Sequence, residues 1–379
     1  MSEFQYYAFR ALDRSLTASE MAALRALSTR AVITPTSFTN DYQWGNFKGD
    51  PDRLVEQYFD AYCYITNWGT RQLQWRFPAR MVDEQGFTAF LVDERVALRR
   101  GPGFVILSLT ADDQEGYWEL DREPEIWLPA TLPLRDDLMN GDLRALYLAW
   151  LAAVQDGYVD NDAGEPPVPP GLKKLSPALE ALAELLMLDA DLINAAACGS
   201  EQAPAPAGPT REAVGQWIAR LPAAERDALL VRMVADGDAS VSPELRRRFR
   251  ESAGPAAKRM APAEARTAGA LLALAEQLAG ERKRQASEQA ERARTRYLDE
   301  LARREPAAWQ EIEGVFDAPL KSHAKGAAYE QKAKLLHDLR DLAVREGRVG
   351  EFEAKLTALR ARYGKRAAFW TRFDGSSRS

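Results

Sequence analysis

Apolar and polar positions alternate through residues 4–12, which are rich in Tyr and Phe, and this predicts a first strand. Thr17 and Glu20 have the spacing of a capping box, and Leu16 with Met21 can form the hydrophobic staple around it. Met21, Leu24 and Leu27 then recur at helical spacing, predicting a helix that ends near Thr29. Residues 31–42 are β-branched and aromatic and read as a second strand interrupted at Pro35, giving a β-α-β start. Asp50 suits an N-cap and Pro51 a first helical residue, so a second helix is expected over about 51–65. Residues 71–78 set Gln72, Gln74 and Arg76 against Leu73, Trp75 and Phe77, the pattern of a half-buried strand. Short strands are expected at 87–92, 97–100 and 104–110, with Gly101-Pro102-Gly103 as the turn between the last two. Residues 111–126 read as an acidic loop.

The period changes near residue 141. Leu143, Leu146, Tyr147, Trp150, Leu151 and Val154 lie on one helical face, and a proline-rich loop separates them from a helix expected over about 176–197. Residues 201–209, with Ala-Pro-Ala-Pro-Ala, read as a linker. Helices are expected at 211–220, 223–235 and 243–251, and a long one from about 262 to 304 that would span ~60 Å. From Glu281 onward that helix is charge-laced at i,i+4, with a seam of Ala286, Ala290, Ala293 and Tyr297 that suits a weak coiled coil or a solvent-bridging helix. Residues 309–316, 329–346 and 350–363 complete a helical ending. The expected organisation is an α+β domain over 1–135, a helical segment over 136–200, a linker over 201–210, and a mostly α-helical region over 211–379 containing the one long charged helix.

Composition changes this picture little, but charge sharpens it. Hydrophobic residues at 46% and charged residues at 28% are ordinary globular usage, which excludes wholesale disorder. Residues 1–200 carry 17 Lys+Arg against 30 Asp+Glu, and residues 201–379 carry 33 against 26, so a net −13 precedes a net +7. Such a split hints at nucleic acid or at oppositely charged partners. Two scattered cysteines, Cys63 and Cys198, form no disulfide framework and read as buried free thiols of a reducing compartment. The start of the chain lacks a basic and then apolar leader, and no stretch approaches the ~20 apolar residues of a membrane span, so a cytoplasmic protein away from membranes is expected.

Several segments together resemble a bacterial family with no assigned activity: Ile33-Thr34-Pro35-Thr36, Trp44-Gly45, Lys48-Gly49-Asp50-Pro51, Asn67-Trp68-Gly69-Thr70-Arg71, residues 141–151, 166–172 and 226–230, Leu221-Pro222, Leu245-Arg246-Arg247-Arg248-Phe249-Arg250, and 338–343. The rear segments are also similar to helical regions accompanying some bacterial SWIM-type zinc-finger proteins. The zinc motif of those proteins needs three Cys and a His in close order, and nothing here matches it, so the resemblance implies no metal site.

Candidate chemistry is sparse. Histidine is the usual acid or base at neutral pH, and there are two, His323 in an expected loop and His337 within an expected helix. No glycine-rich phosphate loop and no Gly-x-Ser-x-Gly elbow occurs. Asp156 to Glu165 is acidic, but its spacing fails that of an EF-hand, leaving a solvated turn. Paired carboxylates in the front domain remain the weakest option. The reading is therefore non-enzymatic, with no cofactor.

Two clusters suit partners instead. Tyr42, Trp44, Phe47, Trp68 and Arg71, with Trp75 beside them, lie in two glycine-containing loops and the adjoining strand, where they either anchor a protein partner or close the end of a small sheet as core. Arg246, Arg247, Arg248 and Arg250, and near the C-terminus Lys365, Arg366 and Trp370, suit DNA or RNA, or are solvated helix ends. The leading expectation is an interaction or adaptor protein whose acidic domain and basic helical arm contact protein partners, or each other across a homodimer formed through the long helix. The alternative is a nucleic-acid-associated accessory protein acting through its basic half.

Overall fold

The computed structural model describes residues 3–112, 123–202, 211–235, 241, 245, 248, 249, 252, 266–317 and 322–375, the side chains of 322–325 excepted. It divides into two units, Met1–Ala279 and Gly280–Ser379.

The first unit is built on strands β1 (Gln5–Arg10), β2 (Val32–Thr34), β3 (Ser37–Tyr42), β4 (Ala61–Thr66), β5 (Thr70–Pro78), β6 (Val96–Gly101) and β7 (Phe104–Asp112). They form one sheet in the order β2-β3-β1-β4-β5-β7-β6, every pair antiparallel. Apolar residues occupy both rows of β1 because the strand is covered on both sides. Tyr7 and Phe9 join Phe38, Phe59 and Tyr62 under helices α1 (Ala18–Leu27) and α2 (Pro51–Gln57). Tyr6 and Ala8 face the larger core with Cys63, Leu73, Trp75, Leu107 and Leu109. That core is closed by α3 (Glu84–Phe87), α4 (Trp127–Met139), α5 (Arg144–Gln155), α6 (Pro177–Leu185) and α7 (Ala190–Cys198). Ten consecutive residues of α5 are buried, from Ala145 to Val154, which makes it the central helix of the layer.

The boundary expected at residue 135 does not separate two cores. Trp75 and Leu107 of the sheet share one cluster with Leu146, Leu151 and Leu182, because the sheet's apolar face has no cover other than the helices that follow it. Three local expectations also change. α2 stops at Gln57, and Ala61–Thr66, aromatic and apolar, is claimed by pairing with β1 and β5. Residues 87–92 are a short helix and turn that bury Phe87 and Phe90, not a strand. The helix expected over 176–197 is two, broken where Met187 takes a left-handed conformation with φ of 56°.

Helices α8 (Arg211–Arg220) and α9 (Ala223–Val234) follow. The last helix to begin in the first unit is α10 (Ala268–Arg303), 36 residues and about 54 Å of rise. Its first turn is fastened by hydrogen bonds to Asn161 and Ala163, and Ala286, Ala290 and Ala293 along its middle are exposed.

The second unit comprises the rest of α10, α11 (Glu305–Asp317), α12 (Ser322–Arg345), α13 (Val349–Tyr363) and α14 (Ala367–Gly375). Leu301, Ile312, Phe316, Leu336, Leu339, Phe352 and Phe369 form its core. Gly347, with φ of 69°, supplies the left-handed residue that lets α12 end and α13 start.

Candidate functional site

One end of the sheet carries the first expected cluster. β1 is the reference: Gln5 lies opposite Tyr42 of β3 on one side and Thr66 of β4 on the other. The loop after Tyr42 and the turn after Thr66 therefore emerge side by side. Gly45 (φ 76°) and Gly69 (φ 104°) make the reversals that a side chain would strain.

Both loops are tied to the start of β1. The Gln5 amide donates to the Gly45 carbonyl at 3.3 Å and to Asn46 Oδ1 at 3.0 Å. Its oxygen accepts from the Tyr7 hydroxyl at 2.7 Å and the Tyr64 hydroxyl at 3.0 Å. Burial pushes both tyrosines above their ordinary range, which keeps them protonated as donors. On the other side Phe4 N–H donates to Asn67 Oδ1 at 2.9 Å, and Asn67 N–H returns a bond to the Phe4 carbonyl at 3.1 Å. Asn67 stands in the sequence only among the segments of the resemblance and Gln5 not at all, although a glutamine inside a Tyr-rich strand is a signal of a buried polar anchor.

The expected residues then separate by role. Phe47 is buried, its ring 5.2 Å from Tyr7 and 5.7 Å from Phe38. Trp75 is core. Arg71 is buried as well, and its guanidinium donates to the carbonyls of Glu184 and Leu185, both at 3.0 Å, where it caps the end of α6. These three are structural. Tyr42 is half-buried, edge-on to Tyr7 at 5.8 Å. Trp44 is 75% exposed and Trp68 41% exposed, each mounted on a loop whose backbone is held from below.

The basic candidates fare differently. Arg246, Arg247 and Arg250 lie outside the described residues. Arg248 is paired with Glu225 at 2.6 Å. Trp370 points inward: it is buried, its indole N–H donates to the Tyr363 carbonyl at 3.2 Å, and Phe369 meets it edge-on at 5.1 Å. Arg366 donates to the Phe316 carbonyl at 2.8 Å, leaving Lys365 exposed without an exposed indole beside it. A stack of bases on Trp370 has no open ring face to use.

Several of the described titratable groups elsewhere are engaged in structure. Asp60 is buried and accepts from the backbone N–H groups of Leu12 (2.7 Å) and Asp13 (2.9 Å) and from Arg76 (3.2 Å); burial pushes its carboxyl up. Glu165 takes both arms of Arg266 at 2.8 Å and the Tyr147 hydroxyl. His337 stacks on Phe373 at 4.3 Å and meets its carbonyl at 2.9 Å, while the His323 side chain lies outside the described residues. Cys63 is buried, and burial pushes its thiol up to about 12. Cys198, expected inside, is exposed, because the end of α7 turns it away from the core. Among the described residues no three His, Cys, Asp or Glu side chains converge as a metal site, and no helix is long and apolar enough to cross a membrane.

No protein-family model matches this chain, and no curated protein or solved structure matches it either.

Proposed function

We propose that the protein is a non-enzymatic interaction protein, and that the Trp44–Trp68 end of the sheet is where its first unit meets a protein partner. The observation that carries this reading is the exposure of two indoles on backbone that Gln5 and Asn67 hold in place. Large aromatic rings carried on loops held before binding save the entropy of ordering the loop on contact, and such rings dominate interface energetics. The buried carboxylates described above are tied to arginines and backbone, and the site is assigned no catalytic step.

The test is a pull-down from the native host with wild-type protein and with Trp44→Ala/Trp68→Ala, each with and without nuclease, partners being read by mass spectrometry. A protein captured by the wild type, resistant to nuclease and lost from the double variant is the expected result. Partners that disappear with nuclease and ignore both tryptophans would overturn the reading in favour of the basic half and nucleic acid.

A further inference from the structure

We infer that the partner segment taken by this sheet end is basic: a short stretch bearing Lys or Arg whose cations lie over the Trp44 and Trp68 indoles and pair with carboxylates beside them. The inference rests on the proposed role of that surface and adds the chemistry of its partner.

The spacing comes from the register. Tyr42 and Thr66 flank Gln5 on its two sides, so they stand two strand spacings apart, about 10 Å, and each tryptophan follows two residues later. An extended segment of roughly four residues covers that distance at ~3.3 Å per residue. Both loops are anchored to adjacent residues, Phe4 and Gln5, so the two rings are carried on one short piece of framework.

The charge comes from the surroundings. Glu3, Asp41 and Glu125 are exposed, and Asp41 lies opposite Tyr6 in the β1–β3 register. Asp41 is held at this end of the sheet by its register opposite Tyr6, and the Tyr6 hydroxyl is raised first by burial and then by Glu125. On the loop itself Lys48 is exposed, and Asp50, which caps α2 and pairs with Arg53 at 3.5 Å, follows two residues on. An indole face attracts a cation through its quadrupole, and adjacent carboxylates strengthen that attraction while repelling anionic partners.

Isothermal titration of the full-length protein with octa-arginine, octa-glutamate and a Gly-Ser octapeptide tests this. Octa-arginine should bind and the other two should not, with affinity falling as salt rises. Trp44→Ala/Trp68→Ala should weaken octa-arginine binding by about tenfold or more. Asp41→Asn/Glu125→Gln should weaken it several-fold. Asp160→Asn/Asp162→Asn, which removes two exposed carboxylates from another loop, should leave it unchanged and so excludes general attraction of a polycation to an acidic protein. Absence of octa-arginine binding, equal binding of all three peptides, or an equal loss in the Asp160/Asp162 control overturns the inference. If octa-arginine fails while a native partner still requires both tryptophans, the basic chemistry falls and the interaction surface stands. If native partners ignore both tryptophans, the surface itself falls.

Discussion

Arg135 of α4 grips Asp13, 122 positions earlier in the chain, with two hydrogen bonds of 3.1 and 2.7 Å, and its Nε donates to the Arg76 carbonyl at 2.8 Å. With Asp60 bound to the backbone at Leu12 and Asp13, this knot joins α4 to the ends of β1, β4 and β5. Arg135 is fully buried, so removing it leaves uncompensated charge inside. Arg135→Leu should cost about 3–5 kcal/mol, and Arg135→Leu/Asp13→Leu should recover part of the loss because neither charge is then left alone. Urea denaturation measures both; a single-variant loss below ~1 kcal/mol would show that the knot is dispensable.

Glu20 gives a pH dependence of known sign. It accepts from Thr17 N–H at 2.7 Å and from both terminal nitrogens of Arg14 at 2.8 and 2.9 Å, and the Arg14 bonds hold its carboxyl down at about 2. A carboxyl lowered on folding stabilises the protein fully above its unfolded value, ~4.3, and loses that contribution as pH falls through the folded value. Glu20→Gln should flatten the stability profile between these two pH values while leaving the protein less stable at neutral pH. Denaturation across that range, or an NMR titration of the Glu20 carboxyl, checks it.

The two roles within the aromatic cluster separate by stability. Trp44→Ala should change stability by less than ~0.5 kcal/mol and Trp68→Ala by about 1 kcal/mol or less, because the first ring is exposed and the second is partly covered. Phe47→Ala should cost about 3–5 kcal/mol, since it empties a buried site among Tyr7, Phe9 and Phe38. Equal losses in all three would mean that the indoles are part of the core.

Thiol reagents should modify Cys198 in the native protein and reach Cys63 only after denaturation. Cys198 is exposed, whereas burial both hides Cys63 and suppresses its thiolate. Mass-resolved alkylation with and without urea distinguishes the two sites, and native labelling at Cys63 would contradict its placement.

In the second unit, Trp370→Ala should cost about 3–5 kcal/mol and Lys365→Ala close to nothing, reflecting an indole packed on Phe369 and Phe373 and an amine in solvent. Thermal melts of the two variants provide the comparison.

What could be read from the sequence was what neighbours along the chain decide. The α1 capping box, the alternation of β5 and the turn between β6 and β7 all stand where expected. β4 was hidden because Asp50 and Pro51 announce a helix clearly, while neither Gly nor Pro marks its end near Tyr58; the stop is imposed by pairing with β1 and β5. α4 was hidden by Pro133, which reads as a breaker yet sits inside the helix. The glycines beside Trp44 and Trp68 marked the loops correctly. Nothing near Arg71 in sequence could disclose its role, because the carbonyls it caps are 113 and 114 positions away.

The meeting of Glu165 with Arg266 fixes more than a side-chain pair. The chain leaves the first core at Ser200 and Glu201, which bond to Leu172 and Gly171, and returns at Arg266, whose backbone carbonyl accepts from Glu165 N–H. A Cβ on Gly199 would stand 2.7 Å from the Arg266 guanidinium, so the points of departure and return touch. The described helices α8 and α9 therefore lie on an excursion whose departure and return meet. A stretch whose two ends coincide can change in length without moving those ends. In this architecture the excursion that carries α8 and α9 can change length while its two ends stay fixed beside Gly199.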